Sequence, residues 1–286
     1  MNNPALKSFL PTMILFTVSA VLGSTAVPDK TLIYRQTATE SLKAFVFTPN
    51  TPPKNGAAIL LFHGGAWQLG DATWMFQRAR EFANRGMVAV SIDYRLANNG
   101  LAPSDGVKDA CAAFTWVREH AAEFGVDPHR VAGYGWSAGG HLVAAAATLP
   151  EVKGAKVPAT ARPNALLMYS PALNMGKDPY FIRLMTGKGD PALYSPSEFI
   201  THQLPPSLII QGEADTIVLT KDAKGFCELA KKVDVRCDLH VYPGVGHLLT
   251  RNLKVQYKDF DSDPADAAEA HRLEDEFLKS LGYIRK

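Results

Sequence analysis

The chain has 286 residues and 47% of them are hydrophobic, near the upper end of one domain and enough for a single large core. Thirty basic residues against 28 acidic ones leave a formal charge of +2. With no cluster of Lys and Arg, this balance excludes a disordered polyelectrolyte and a charge-driven nucleic-acid binder, and it names no partner.

Residues 1–26 read as a signal peptide: Lys7, a mostly apolar run from Phe9 to Leu22, then the small residues Ser24-Thr25-Ala26, with Ala20 a second candidate cleavage position. The run is shorter than the roughly 20 residues that span a bilayer, and Pro11 interrupts it. The expectation is therefore a cleaved leader, a secreted or periplasmic protein without a stable membrane anchor, and one domain over residues 27–286.

From Thr31 onward, short β-rich runs alternate with longer helical ones. "LKAFVF" and "AAILLFHGG" read as strands, Thr73–Asn84 as a helix, "MVAVSID" as a strand, Asp105–Glu123 as a helix, and "RVAGYGWSAGG" as a strand turning into a helix. "NALLMYSPAL", "PSLIIQGEAD", a helix from Lys221 to Val233, "CDLHVYPG" and an amphipathic helix over Ala265–Leu281 complete the chain. Nearly continuous apolar runs such as Ile59–Phe62 and Leu208–Ile210 predict strands covered on both faces, hence an α/β fold with a mainly parallel sheet between helix layers. The irregular stretch Asn174–Pro205 carries Tyr180, Phe181, Met185, Tyr194 and Phe199, and reads either as a small lid or pocket-lining insertion or as a surface loop folded on itself.

Gly135-Trp136-Ser137-Ala138-Gly139 matches G-x-S-x-G, the sharp strand-to-helix turn that holds a nucleophilic hydroxyl above a parallel sheet. Small neighbours let the turn close, and the helix N-terminus favours developing negative charge. An orienting acid and then a base are expected after later strands. Asp215 ends "LIIQGEAD" and His247 follows "LHVYPGVG", in that order. Glu213 is a rival acid, and Asp215 has the alternative of capping a turn. His240 reads as a packed strand residue, His141 as structural, and His120, His129 and His271 lie in polar surroundings. "LLFHGGAW" runs a strand into Gly64 and Gly65, whose amides, with that of Ala138, suit a tetrahedral oxyanion. Bulky Trp67 and Trp136 stand beside this site as pocket candidates. Neither a metal nor an organic cofactor is implied. Cys227 and Cys237, ten apart, suit either a disulfide in an exported protein or two small buried residues, while Cys111 reads as a free core thiol.

The stretches "FHGGAW", "GMVAVSIDYRL", "DACAAFTWVREHAAEFGVDPHRVAGYGWSAGGHL", "LPPSLIIQGEADTIV" and "HVYPGVGH" cover most of Ala57–His247. They resemble the α/β-hydrolase esterases with an HGG-x-W oxyanion loop, a group of carboxylesterases, acetyl esterases and hormone-sensitive-lipase-like enzymes. The resemblance implies that fold, a catalytic triad of Ser137, Asp215 and His247, and an oxyanion hole of Gly64, Gly65 and Ala138. It also favours the Cys227–Cys237 bridge, since some secreted members carry similar cysteines. Two departures stand out. The segment from Val27 to the oxyanion loop is too short and too β-like for a large N-terminal cap, and Leu219 follows "DTIV" where many relatives have proline. The expected activity is hydrolysis of short-chain esters, free or polysaccharide-linked. Amidase, arylformamidase or peptidase chemistry on the same triad is the alternative, and a non-catalytic binding protein the remote one.

Overall fold

The computed structural model describes residues 26–51 and 56–285, so the leader expectation lies, apart from Ala26, outside the described residues. The first described elements are β1 (Lys30–Gln36), β2 (Ser41–Phe47) and β3 (Gly56–Phe62), followed by α1 (Phe76–Asn84), β4 (Val88–Ile92), α2 (Pro103–Glu119) and α3 (Ala121–Phe124). Next come β5 (Val126–Trp136), α4 (Ala138–Thr148), a short hairpin of β6 (Glu151–Val152) and β7 (Ala155–Lys156), β8 (Ala165–Tyr169) and α5 (Pro179–Leu184). The last elements are β9 (Ser207–Gly212), α6 (Thr220–Lys232), β10 (Cys237–Tyr242) and α7 (Pro264–Ser280).

Eight strands form one sheet in the order β1-β2-β4-β3-β5-β8-β9-β10. The β1–β2 and β2–β4 pairs are antiparallel, and every pair from β4 to β10 is parallel. The continuous apolar runs follow from helices on both faces. Ala58, Leu60 and Phe62 of β3 pack with α2, α4 and α6 in one core, while Ala57, Ile59 and Leu61 pack with α1 and α7 in the other. A period of two residues thus sends neighbours in one strand into two separate cores, and both positions must be apolar. Among the described residues before the loop that follows β3, 26–51 and 56–62, the regular elements are the strands β1, β2 and β3.

Two segments differ from the sequence expectation. The single helix expected over Asp105–Glu123 breaks at His120, whose φ −100° and ψ 11° leave the helical region, while its ring Nδ1 lies 2.9 Å from the Trp116 carbonyl and the short α3 follows. The stretch Asn174–Pro205 is neither structureless nor open. It forms α5, capped by Asp178 on the Phe181 amide, and three single turns of 3₁₀ helix, with Phe181, Met185 and Tyr194 buried in the α2–α4 core.

Cys227 on α6 and Cys237 at the start of β10 form a disulfide, with Cα atoms 5.2 Å apart. It ties the last strand of the sheet to its covering helix. Cys111 is a free thiol, pushed up to about 12 by burial. Closing a loop of sequence separation 10 restricts the unfolded chain by about 2–3 kcal/mol. The double substitution Cys227→Ser with Cys237→Ser is expected to lower the unfolding free energy by that amount in urea titration; an unchanged midpoint would remove this role from the bridge.

Candidate active site

The turn from β5 into α4 places Ser137 at φ 51°, ψ −113°, an unfavourable geometry for a residue with a Cβ. Its surroundings explain why it persists. The Ser137 amide donates to the Tyr169 carbonyl (2.9 Å), and the Ser137 carbonyl accepts from the amides of His141 (3.1 Å) and Ala172 (3.4 Å). A Cβ on Gly135 would lie 2.3 Å from the Gly139 carbonyl, and one on Gly139 would lie 2.0 Å from the Phe62 oxygen. Only glycine lets the helix start and the end of β3 come this close.

The oxyanion loop leaves β3 against that turn, so that a Cβ on Gly64 would stand 3.4 Å from the Ser137 Cβ. Gly65 has φ 105°, and its carbonyl accepts from the amides of Gln68 (3.0 Å) and Leu69 (2.9 Å). The Gly64 and Gly65 amides donate to no acceptor among the described residues, which leaves them available to an anionic oxygen.

His63, which the sequence reading left without a role, sets this loop. Its imidazole is buried and stacks on Tyr94 at 4.4 Å between ring centroids. Nδ1 lies 2.6 Å from the Gly64 carbonyl, so this nitrogen carries the proton and donates. The Tyr94 hydroxyl donates to the His63 carbonyl (2.9 Å). Burial holds the imidazole neutral by lowering its pKa to about 4. The "FHGG" pattern was the available signal.

Trp67 does not border an open cleft, contrary to expectation. Ala66 and Trp67 both have left-handed backbone (φ 52° and 61°), and the Trp67 ring is buried edge-on against Phe181 at 5.0 Å. Its indole donates to His141 Nδ1 (3.1 Å), which makes Nε2 the protonated nitrogen, and this donates to the Tyr194 carbonyl (2.8 Å). His141, structural as expected and lowered to about 4 by burial, therefore joins the oxyanion loop, α4 and the 174–205 segment. Trp136 is half-buried and donates through Nε1 to the Tyr134 hydroxyl (2.7 Å).

Asp215 and His247 are buried on adjoining turns after β9 and β10. Asp215 Oδ1 accepts from the amides of Ile217 and Val218 (both 2.9 Å). Oδ2 accepts from Gln211 Nε2 (3.1 Å) and from His247 Nδ1 (2.9 Å). The carboxylate thus fixes the ring so that Nε2 is its basic nitrogen. Glu213 is exposed, so Asp215 is the acid that meets His247. The Leu248 amide donates to Ser170 Oγ (3.1 Å), one residue beyond the Tyr169 carbonyl that holds Ser137, so both turns meet at the end of β8. Among the described residues no hydrogen bond spans Ser137 Oγ and His247 Nε2; such contacts commonly tighten only with substrate in place.

The BD-FAE family model matches residues 46–163, a span that holds the oxyanion loop and the Ser137 turn. A solved structure of a thermophilic esterase from the planctomycete Thermogutta terrifontis, esterase 2, is 31% identical, covers 89% of this chain and 93% of its own, and superposes with a TM-score of 0.78. The chain belongs to the α/β-hydrolase carboxylesterase family. Among curated members, the carboxylesterase NlhH of Mycobacterium tuberculosis is 41% identical over 105 residues, 36% of this chain and 33% of its own length. The para-nitrobenzyl esterase of Bacillus subtilis is 36% identical over 120 residues, 38% of this chain and 24% of its own. A probable isoprenylcysteine α-carbonyl methylesterase of Arabidopsis thaliana is 26% identical over 242 residues, 76% of this chain and 50% of its own. The chain thus spans from a quarter to a half of these curated relatives.

The two buried neutral histidines make stability depend on pH. Their ordinary value is 6.5 and burial lowers it to about 4, so between these values the unfolded imidazoles bind protons that the folded ones refuse. Their contribution is complete above pH 6.5 and is lost as pH falls toward 4, by up to roughly 3 kcal/mol per histidine. Urea midpoints are expected to fall steadily over that window, and less steeply in His141→Gln; a midpoint constant from pH 7 to 4.5 would contradict the assignment.

Proposed function

We propose that this chain is an exported serine esterase that hydrolyses short-chain carboxylic esters through an acyl-enzyme on Ser137. The observation that carries the reading is a strained serine packed against the Gly64-Gly65 loop, with a buried imidazole, held in one tautomer by a fully bonded carboxylate, on a turn that meets the same end of β8. His247 Nε2 takes the Ser137 proton as Oγ attacks the ester carbonyl, and the amides of Gly64, Gly65 and Ala138 receive the oxyanion. The protonated imidazole then gives its proton to the leaving alcohol. Water, deprotonated by the same nitrogen, releases the acid and restores Ser137.

Short acyl groups are favoured by the inward-turned Trp67 and by the 174–205 segment, whose Phe181, Met185 and Tyr194 are packed into the core. The Thermogutta terrifontis relative supports this, since its structures include propionate-bound and butyrate-bound forms and one phosphorylated by paraoxon. The disulfide and the leader-like residues 1–26 support export and an oxidising compartment. A small-molecule ester or an ester on a polysaccharide fits such a location.

Hydrolysis of p-nitrophenyl esters from acetate to decanoate is expected to peak at acetate or butyrate. Ser137→Ala should lower kcat/KM by at least about 10³-fold and abolish labelling by a fluorophosphonate, and Asp215→Asn should lower kcat by up to about 10⁴-fold. A maximum at ten or more acyl carbons would overturn the short-chain assignment, and equal turnover of matched amide and ester would move the reading to an amidase.

A further inference from the structure

We infer that Gln256 is a positioning residue of this site, whose buried carboxamide locks the acid turn to the base turn; the inference rests on the triad reading above. Gln256 lies nine residues beyond His247 in a polar stretch with no motif, yet it is 3% exposed. Oε1 accepts from the His247 amide (2.9 Å) and from the Thr216 amide (3.2 Å). Nε2 donates to the carbonyls of Ala214 (3.0 Å) and Leu253 (3.3 Å). Both lone-pair positions and both protons of the amide are used.

The position of these bonds explains what they do. The direct backbone links between the two turns are Glu213 N to Tyr242 O and Ala214 N to Val245 O. Beyond them the chains diverge toward Asp215 and His247, and there the Gln256 amide stands in for the next rung of the ladder. The hold is needed because Leu248 and Leu249, directly after the base, have φ 53° and 63°. Such backbone persists only where its surroundings over-determine it. Gly246 completes the fit, since a Cβ there would lie 2.4 Å from Gln256 Oε1. Gln256 touches the backbone of His247 and neither the imidazole nor Ser137, so it acts on the reaction through the placement of Nε2. A misplacement on the order of 1 Å costs about 10²-fold in rate.

The test uses the full chain, with kcat expressed per site titrated by a fluorophosphonate so that any unfolded fraction drops out. Gln256→Met keeps the volume and removes all four hydrogen bonds. Gly246→Ala leaves Gln256 in place chemically but pushes its amide away. Each is expected to lower kcat per titrated site by about 10- to 100-fold, with KM within about threefold. Adding Gly246→Ala to Gln256→Ala should cost nothing further, because the clash partner is gone. If Gln256→Met does not fold, Gly246→Ala alone decides. A kcat per titrated site within twofold of the parent in either variant, even with a lowered melting temperature, overturns the role. Parent activity that survives Ser137→Ala would instead overturn the triad reading and this role with it.

Discussion

The structure depends on one unfavourable backbone position. Ser137 is held at positive φ where β5 turns into α4, at a cost on the order of 1–3 kcal/mol, and the sheet around it is arranged so that no cheaper geometry is open. Its amide and carbonyl are both taken by neighbours from β8 and α4. The two glycines after the turn are hemmed in as well, since a Cβ on Gly139 would meet the Phe62 oxygen and one on Gly140 would meet Pro171. The β3–β5–β8 parallel core therefore offsets the strain, and the hydroxyl gains its place above the strand ends as a result.

The polar groups around that position fall into two electrostatic kinds. His63 and His141 are buried against carbonyls and an indole, and desolvation keeps them neutral, outweighing the pull of Asp71 on His63. A neutral imidazole with one fixed N–H is a directional brace, and each here ties the oxyanion loop to something rigid. His247 differs in a single respect. The acceptor on its Nδ1 is Asp215, whose charge is already spread over three other donors. In the proposed reaction this carboxylate is the partner that faces the ring as Ser137 gives up its proton, whereas the rings of His63 and His141 hydrogen-bond no carboxylate.

Much of this was legible in the residues because it rests on local patterns. Apolar runs without alternation marked the two-sided sheet, G-x-S-x-G marked the strained turn at Ser137, and the positions after later strands marked Asp215 and His247, which the structure joins by a hydrogen bond. What escaped reading depended on long-range geometry. Nothing in "HGGAW" says that two left-handed residues turn Trp67 inward onto His141, so a bulky side chain next to the loop looked like a pocket wall. The helix break at His120 lies in one residue's backbone angles, beside a ring nitrogen on the Trp116 carbonyl, which periodicity does not register. The aromatic residues of 174–205 were visible, but whether they faced a cleft or a core depends on Tyr194 and Phe181 finding His141 and Trp67.

These couplings also order how the site is assembled along the chain. Ser137 and the Gly64-Gly65 loop, the proposed nucleophile and oxyanion donors, come from β3, β5 and α4, where the sheet itself supplies rigidity. Asp215 and His247, the proposed acid and base, stand on turns at the far end of the sheet, past the last rungs between β9 and β10, where little ladder remains to hold them. There the fold substitutes side chains for backbone: Gln211 behind Asp215, Ser170 on the Leu248 amide, and Gln256 across both turns. Half of the site is thus positioned by sheet geometry and half by buried amides and a hydroxyl. The second half has no pattern to read, because its supports are single polar residues whose partners are fixed only once the two turns have met.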